Sequence, residues 1–235
     1  MKKLIMAVAL FGAGVALAVP AGKGQSKRLA LSGGWVERAA EGKTIRIVNA
    51  QKTAGEGGVR SAMASLRDAL LFSMECIPGE AGRSYRPDAK AGAVVTLVDR
   101  PEDGTTFIVA PEQAWAEINV AALAKDKPSA EVLDRRVHKE IWRSVAIILG
   151  ASNSMNQPCV MRQINTLADL DATKMMSACP EPYNAMIMAS KALGIGRVYR
   201  TTYKRACIEG WAPDPTNEIQ KALKRDFWLK EPEKK

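Results

Sequence analysis

A single histidine, His138, four cysteines and one Lys139-Glu140-x-x-Arg143 run carry most of the reactive chemistry this chain can offer. One imidazole moves one proton or fills one corner of a metal site. A three-histidine zinc centre is therefore out of reach. Two basic neighbours disfavour protonation of His138, and no acid and nucleophile stand beside it, so it reads as a structural histidine. Ser144 and Ser152 have no histidine partner that the spacing reveals, which leaves a Ser-His triad without support. Cys76, Cys159, Cys179 and Cys207 contain neither a C-x-x-C pair nor a Cys/His cluster with zinc spacing; in an oxidising compartment they allow two disulfides in three connectivities.

These residues need a scaffold, and the 235-residue chain is long enough to bury a sizeable core, with 47% hydrophobic and 25% charged residues. Thr44 to Ala50 reads as a first strand. Val59, Met63, Leu66, Leu70 and Met74 recur at helical steps and predict an amphipathic helix. Ala91 to Val98 and Thr105 to Ala110 are β-rich runs joined by a turn-rich segment in the manner of a hairpin, and Trp115 to Ala122 alternates again. Ser129 and Gly150 bracket the best-marked helix. Its buried stripe is Leu133, Val137, Ile141, Val145 and Ile148, and Arg136, Lys139, Glu140 and Arg143 fall on the other side as a surface ion-pair ladder. Ile219 to Phe227 predicts a C-terminal helix with Lys221, Lys224 and Arg225 on its polar side.

Met1-Lys2-Lys3 and the apolar run Leu4 to Leu17 have the pattern of a secretory signal cleaved after Ala18, and the run is shorter than the roughly 20 residues of a membrane anchor. The expected organisation is a signal over 1–18, a flexible segment over 19–34, one domain over 35–210 and a C-terminal helix and tail over 211–235. Export would place the chain in the periplasm or outside the cell, with no transmembrane segment in the mature form. The formal charge of +9 admits an anionic envelope surface, while export argues against nucleic acid. Arg197, Arg200, Lys204 and Arg205, interleaved with Tyr199 and Tyr203, read as a solvated face. The methionines Met155, Met161, Met175, Met176, Met186 and Met188 cluster after the long helix as core fillers.

The order of elements and the residues Gly150, Asn153, Ser154, Cys159, Met161, Asp171, Lys174 and Cys179 resemble the metzincin metalloproteases, and most closely the archaemetzincins. Their pattern is H-E-x-x-H-x-x-G-x-x-H-C, four residues, then C-x-M, followed by D-x-x-K and C-x-x-C. The resemblance spans residues 44 to 195 and implies a metzincin-like zincin fold of the α/β (α+β) class: a mixed twisted sheet, two long helices and a helical C-terminal part.

Carried over residue by residue, the resemblance sets the three zinc histidines on Arg143, Ile147 and Asn153, the catalytic glutamate on Ser144 and the turn methionine on Met161. Zinc wants imidazole nitrogens at about 2 Å and a glutamate to take a proton from bound water. A guanidinium has no lone pair to offer, and Ile147 is hydrocarbon. A second register through Lys139-Glu140-x-x-Arg143 keeps the glutamate but sets two cations at ligand positions. The resemblance thus implies a chain with no metal, no cofactor and no catalytic residues: a non-catalytic binder of peptide or an envelope ligand through a cleft lined by Lys139, Glu140 and Arg143. The alternatives are a divergent metallopeptidase or a structural envelope-associated protein. The family's four-thiolate structural site would survive here only as Cys159 and Cys179, which implies a disulfide between them and leaves Cys76 and Cys207 as a second pair.

Overall fold

A computed structural model describes residues 31–38, 40–50 and 52–228. The expected signal over 1–18 and residues 19–30 lie outside the described residues. The described residues divide into two compact units, one running Glu37–Arg200 and the other made of residues 31–36 together with 201–228.

The larger unit is built on a five-stranded sheet of order β3-β2-β4-β6-β5, in which β2 is Thr44–Ala50, β3 Met74–Gly79, β4 Ala91–Val98, β5 Phe107–Ala110 and β6 Trp115–Asn119. All neighbours are parallel except β5, which pairs antiparallel with β6. The expected hairpin between β4 and β5 is therefore absent, because β6 is inserted between them. Asn119, at the end of β6, explains the path of the chain: its side chain donates to the carbonyls of Arg100 and Asp103 and accepts from the Arg100 amide, pinning the turn onto β6.

Helix α1 (Glu56–Leu70) follows β2, and α3 (Ala130–Ile148) follows β6 and the short α2 (Val120–Leu123). The period-two alternation of the strands sends Ile45, Ile47, Val95, Leu97 and Ile118 toward these helices, where they meet Leu66, Leu70, Val137, Ile141 and Val145. Val48, Ala91 and Val94 face the other way, beneath Ile77 and Tyr85. Burying each such aliphatic side chain is worth about 1.5–3 kcal/mol, so this two-sided core is the main source of stability. Gly57 and Gly58 let the two helices close at their N-termini: a Cβ on Gly57 would lie 2.4 Å from an Asp134 carboxylate oxygen, and one on Gly58 2.6 Å from the Asp134 carbonyl.

Helix α1 stops sooner than its apolar spacing predicts. Leu71 takes the left-handed conformation with φ 58° and its amide closes on Arg67, so that Met74 opens β3 instead of ending the helix. Helix α3 begins as expected, with Ser129 accepting from the Val132 amide.

Beyond α3, helices α4 (Leu167–Ala172) and α5 (Tyr183–Ala192) complete the larger unit, and Thr166 with Asp169 forms a reciprocal cap on α4. Strands β1 (Trp35–Arg38) and β7 (Tyr199–Thr202) make a two-stranded sheet through which the chain passes between units. The smaller unit contains α6 (Tyr203–Ile208) and α7 (Glu218–Trp228), packed through Tyr203, Cys207, Leu223 and Phe227. Within this unit Gln220 donates to the Gly33 carbonyl at 2.6 Å. Among the described residues no helix is long and apolar enough to cross a membrane.

Candidate functional site

The polar side of α3 is buried, which corrects the expected surface ladder. Arg136, Lys139, Glu140 and Arg143 keep 2%, 4%, 1% and 4% of their surface exposed. Each cation must then find internal partners, since an unpaired buried charge costs several kcal/mol. Arg136 does so by gripping two carboxylates, Asp126 at 2.6 and 2.8 Å and Asp171 at 2.9 and 2.6 Å. The ammonium of Lys139 donates to the carbonyls of Leu170 at 2.8 Å and Thr173 at 3.0 Å, and burial lowers its pKa.

Arg143 is the centre of the arrangement. Its Nη1 donates to the carbonyls of Val160 and Arg162, both at 3.0 Å, its Nε donates to Glu140 at 3.2 Å, and its guanidinium lies over the Phe107 ring of β5 at 5.2 Å. The two carbonyls flank Met161, itself fully buried in the turn that follows α3. Helix, turn and edge strand thus converge on one guanidinium. Burial drives Glu140 up to about 7 against the pull of Arg143, and its Oε1 has no partner; nor does the Oγ of Ser144, one turn further along.

Of the positions matched to a zinc site, Arg143 meets the turn that holds Met161, and Ser144 is fully buried on the same helix. Ile147 is half-buried against the core, and Asn153 is exposed in the loop after α3. Lys139, Glu140 and Arg143 do not line an open cleft, because their charged ends are spent on internal partners. A hollow of about 310 Å³ lined by residues including Lys52, Glu56, Arg60 and Cys76 lies instead beside β3, at the opposite edge of the sheet from β5.

The fold family implies a zinc ion here, and these residues do not fit one. A guanidinium, a sec-butyl group and an amide on a surface loop cannot replace three imidazoles, and a fixed positive charge repels the ion. Among the described residues no three His, Cys, Asp or Glu side chains gather as a metal set.

The thiols also depart from expectation. All four cysteines are free. The sulfurs of Cys159 and Cys179 do approach, to 3.2 Å, but that is a contact between thiols and not a bond of about 2 Å. The amides of Met161 and Cys179 both point at the Cys159 sulfur, at 3.4 and 3.1 Å, and Ser154 Oγ lies 3.4 Å from Cys179. Cys76 is exposed on β3, Cys207 is buried in the smaller unit, and the expected second disulfide is absent.

Three relationships escaped the sequence. Asp126 and Asp171 neutralise Arg136; Phe107 covers Arg143; and His138 and Trp142 bond to Ser61 and Ser65 across 77 residues. The basic stretch near β7 is engaged internally, Arg200 with Glu37 and Asp68, Arg197 with the Leu70 carbonyl.

With this geometry the fold is that of an archaemetzincin-like zincin. The archaemetzincin of Methanopyrus kandleri superposes with a TM-score of 0.51 at 16% identity, over 63% of this chain and 96% of that one. A zinc-dependent peptidase from Methanocorpusculum labreanum (TM-score 0.47, 14% identity, 60% and 99% covered) and the archaemetzincin of Archaeoglobus fulgidus complexed with malonate (0.46, 17%, 60% and 99%) are similar as well. What is shared at such identities is the fold. No protein-family model and no curated protein matches the sequence.

Proposed function

We propose that this chain is an exported, non-catalytic protein of archaemetzincin-like fold that binds extended peptide along β5. The observation that carries the reading is the guanidinium of Arg143, clamped between Glu140 and the two carbonyls that flank Met161, where peptide hydrolysis would need a Lewis-acidic ion. Strand β5 ends the sheet, and an edge strand offers main-chain groups for strand addition. Ile108 on that strand is 43% exposed and supplies an apolar contact at alternate side-chain positions. Recognition would come from the peptide backbone and small apolar pockets, not from the buried charges of α3.

A fluorescence-polarisation screen with extended decapeptides tests the binding. Ile108→Lys, which places a charge on the edge, should weaken any peptide bound by the native chain at least tenfold. Unchanged affinity, or no binding by the native chain, would contradict the reading. Export is tested by fractionation and N-terminal sequencing, with a mature terminus at Val19 expected and retention of Met1 in the cytosolic fraction as the contrary result.

A further inference from the structure

The Asn119 amide donates to the Thr106 carbonyl at 2.8 Å, and bonded pairs alternate along an antiparallel ladder, so Ile108 and Ala110 also spend their main-chain groups on β6. The main-chain groups of Phe107 and Val109 therefore point to the open edge. An antiparallel strand added there brings its side chains closest to those of Ile108 and Ala110, the positions that stay unbonded on that side. Both lie on the sheet face turned away from α1 and α3, since Ala110 is in register with Trp115 and Trp115 with Val94.

That face carries a fixed cation beside Ala110. Residues 80–90, which connect β3 to β4, set the Arg86 guanidinium 3.7 Å from the centre of the Trp115 ring, and Arg86 Nη1 donates to the Tyr85 carbonyl at 2.8 Å. The carboxylate paired with Arg86, that of Glu117, stands 3.9 Å away, beyond hydrogen-bond distance, and is bonded by Arg100 at 2.5 Å. Arg86 is 40% exposed. A guanidinium has five N–H donors, so one held flat on a ring and short of a bonded carboxylate can take another.

We propose that the peptide added along β5 carries an acidic side chain, which Arg86 binds across Ala110, and an apolar side chain two residues away against Ile108. The inference rests on the peptide-binding reading and names the class of peptide. Ala110 places only a methyl group between the incoming side chain and the stack of Arg86 on Trp115. Neighbouring strands lie about 4.8 Å apart, so the added strand runs about 10 Å from β6, a gap that a glutamate and an arginine side chain span together. Residues two apart on a strand share a face, which sets the spacing of the acidic and apolar positions.

Capped, fluorescein-labelled decapeptides of alternating threonine and valine, with glutamate, glutamine or lysine as the sixth residue, test it by fluorescence polarisation on the full chain. The glutamate form should bind about fivefold tighter than the glutamine form, and the lysine form weaker than both, with the differences shrinking in about 1 M salt. Arg86→Gln should abolish the preference while still binding the glutamine form, which shows that the edge is intact. Arg83→Gln, which removes the same charge from the same connection, should keep the preference. Equal affinity of the native chain for the glutamate and glutamine forms would overturn the acidic preference and leave strand addition standing, as would a preference unchanged in Arg86→Gln or lost equally in Arg83→Gln. Failure of the native chain to bind any of the three would overturn both.

Discussion

Arg143 Nη1 lies 3.0 Å from the carbonyl oxygen of Val160, on the turn that holds Met161, and the same nitrogen reaches the Arg162 carbonyl at the same distance. A permanent cation of the chain itself thus ties the long helix to the methionine turn. The link is covalent at one end and hydrogen-bonded at the other, so the contact needs no ion from solution.

Arg143→Ala would remove this strut and leave a buried carboxylate and two carbonyls without their donor. The expected loss is about 3–5 kcal/mol, the usual cost of breaking a buried pair from one side. Removing both charges together, as Glu140→Gln with Arg143→Met, should cost less than Arg143→Ala alone, because no charge is stranded. Urea denaturation of the three chains measures this; a loss under about 1 kcal/mol for Arg143→Ala would contradict the role assigned to the guanidinium.

The pH dependence of stability should carry two opposed slopes. Glu140 titrates near 7 in the folded chain against 4.5 ordinarily, so the folded form holds its proton longer than the unfolded form. Its contribution is full below pH 4.5 and is lost as pH rises to 7. His138 stays neutral down to about 4, against 6.5 ordinarily, so its contribution is full above 6.5 and lost as pH falls to 4. Between 4.5 and 6.5 the two offset each other. Glu140→Gln removes one side, and urea midpoints should then rise with pH across that interval more steeply than in the native chain. Identical slopes for native and variant chains would refute the assignment.

Cys159 and Cys179 should close into a disulfide when the oxidant is supplied. Exchange with oxidised glutathione releases two glutathione thiols per bond formed, and the sulfurs have little distance to travel from 3.2 Å. Mass mapping after oxidation should recover Cys159 linked to Cys179, with Cys76 open to alkylation. A link from Cys159 to any other cysteine would show that the contact is not the one described.

Strands β2, β4, β5 and β6, the Ser129 cap and the apolar stripe of α3 were legible in the sequence because they follow from local period and capping chemistry, whereas β1, β3 and β7 were not. The polar side of the same helix was not. Arg136, Lys139, Glu140 and Arg143 have the residue types of a solvated face, and only partners distant in sequence, Asp126, Asp171 and the Val160, Arg162 and Leu170 carbonyls, make their burial tolerable. The place of Arg143 beside the methionine turn came from a resemblance to a family, and spacing alone would not have set it there. Ser61 was invisible for the same reason, since its partner His138 is brought to it by the packing of two helices.

Metal analysis of the purified chain after incubation with equimolar zinc and gel filtration tests the central claim most directly. With Arg143 lodged between Glu140 and the methionine turn, zinc should elute separately from the protein. One zinc retained per chain in the native protein, and lost on Met161-side substitutions such as Val160→Pro but not on Cys159→Ser, would contradict it.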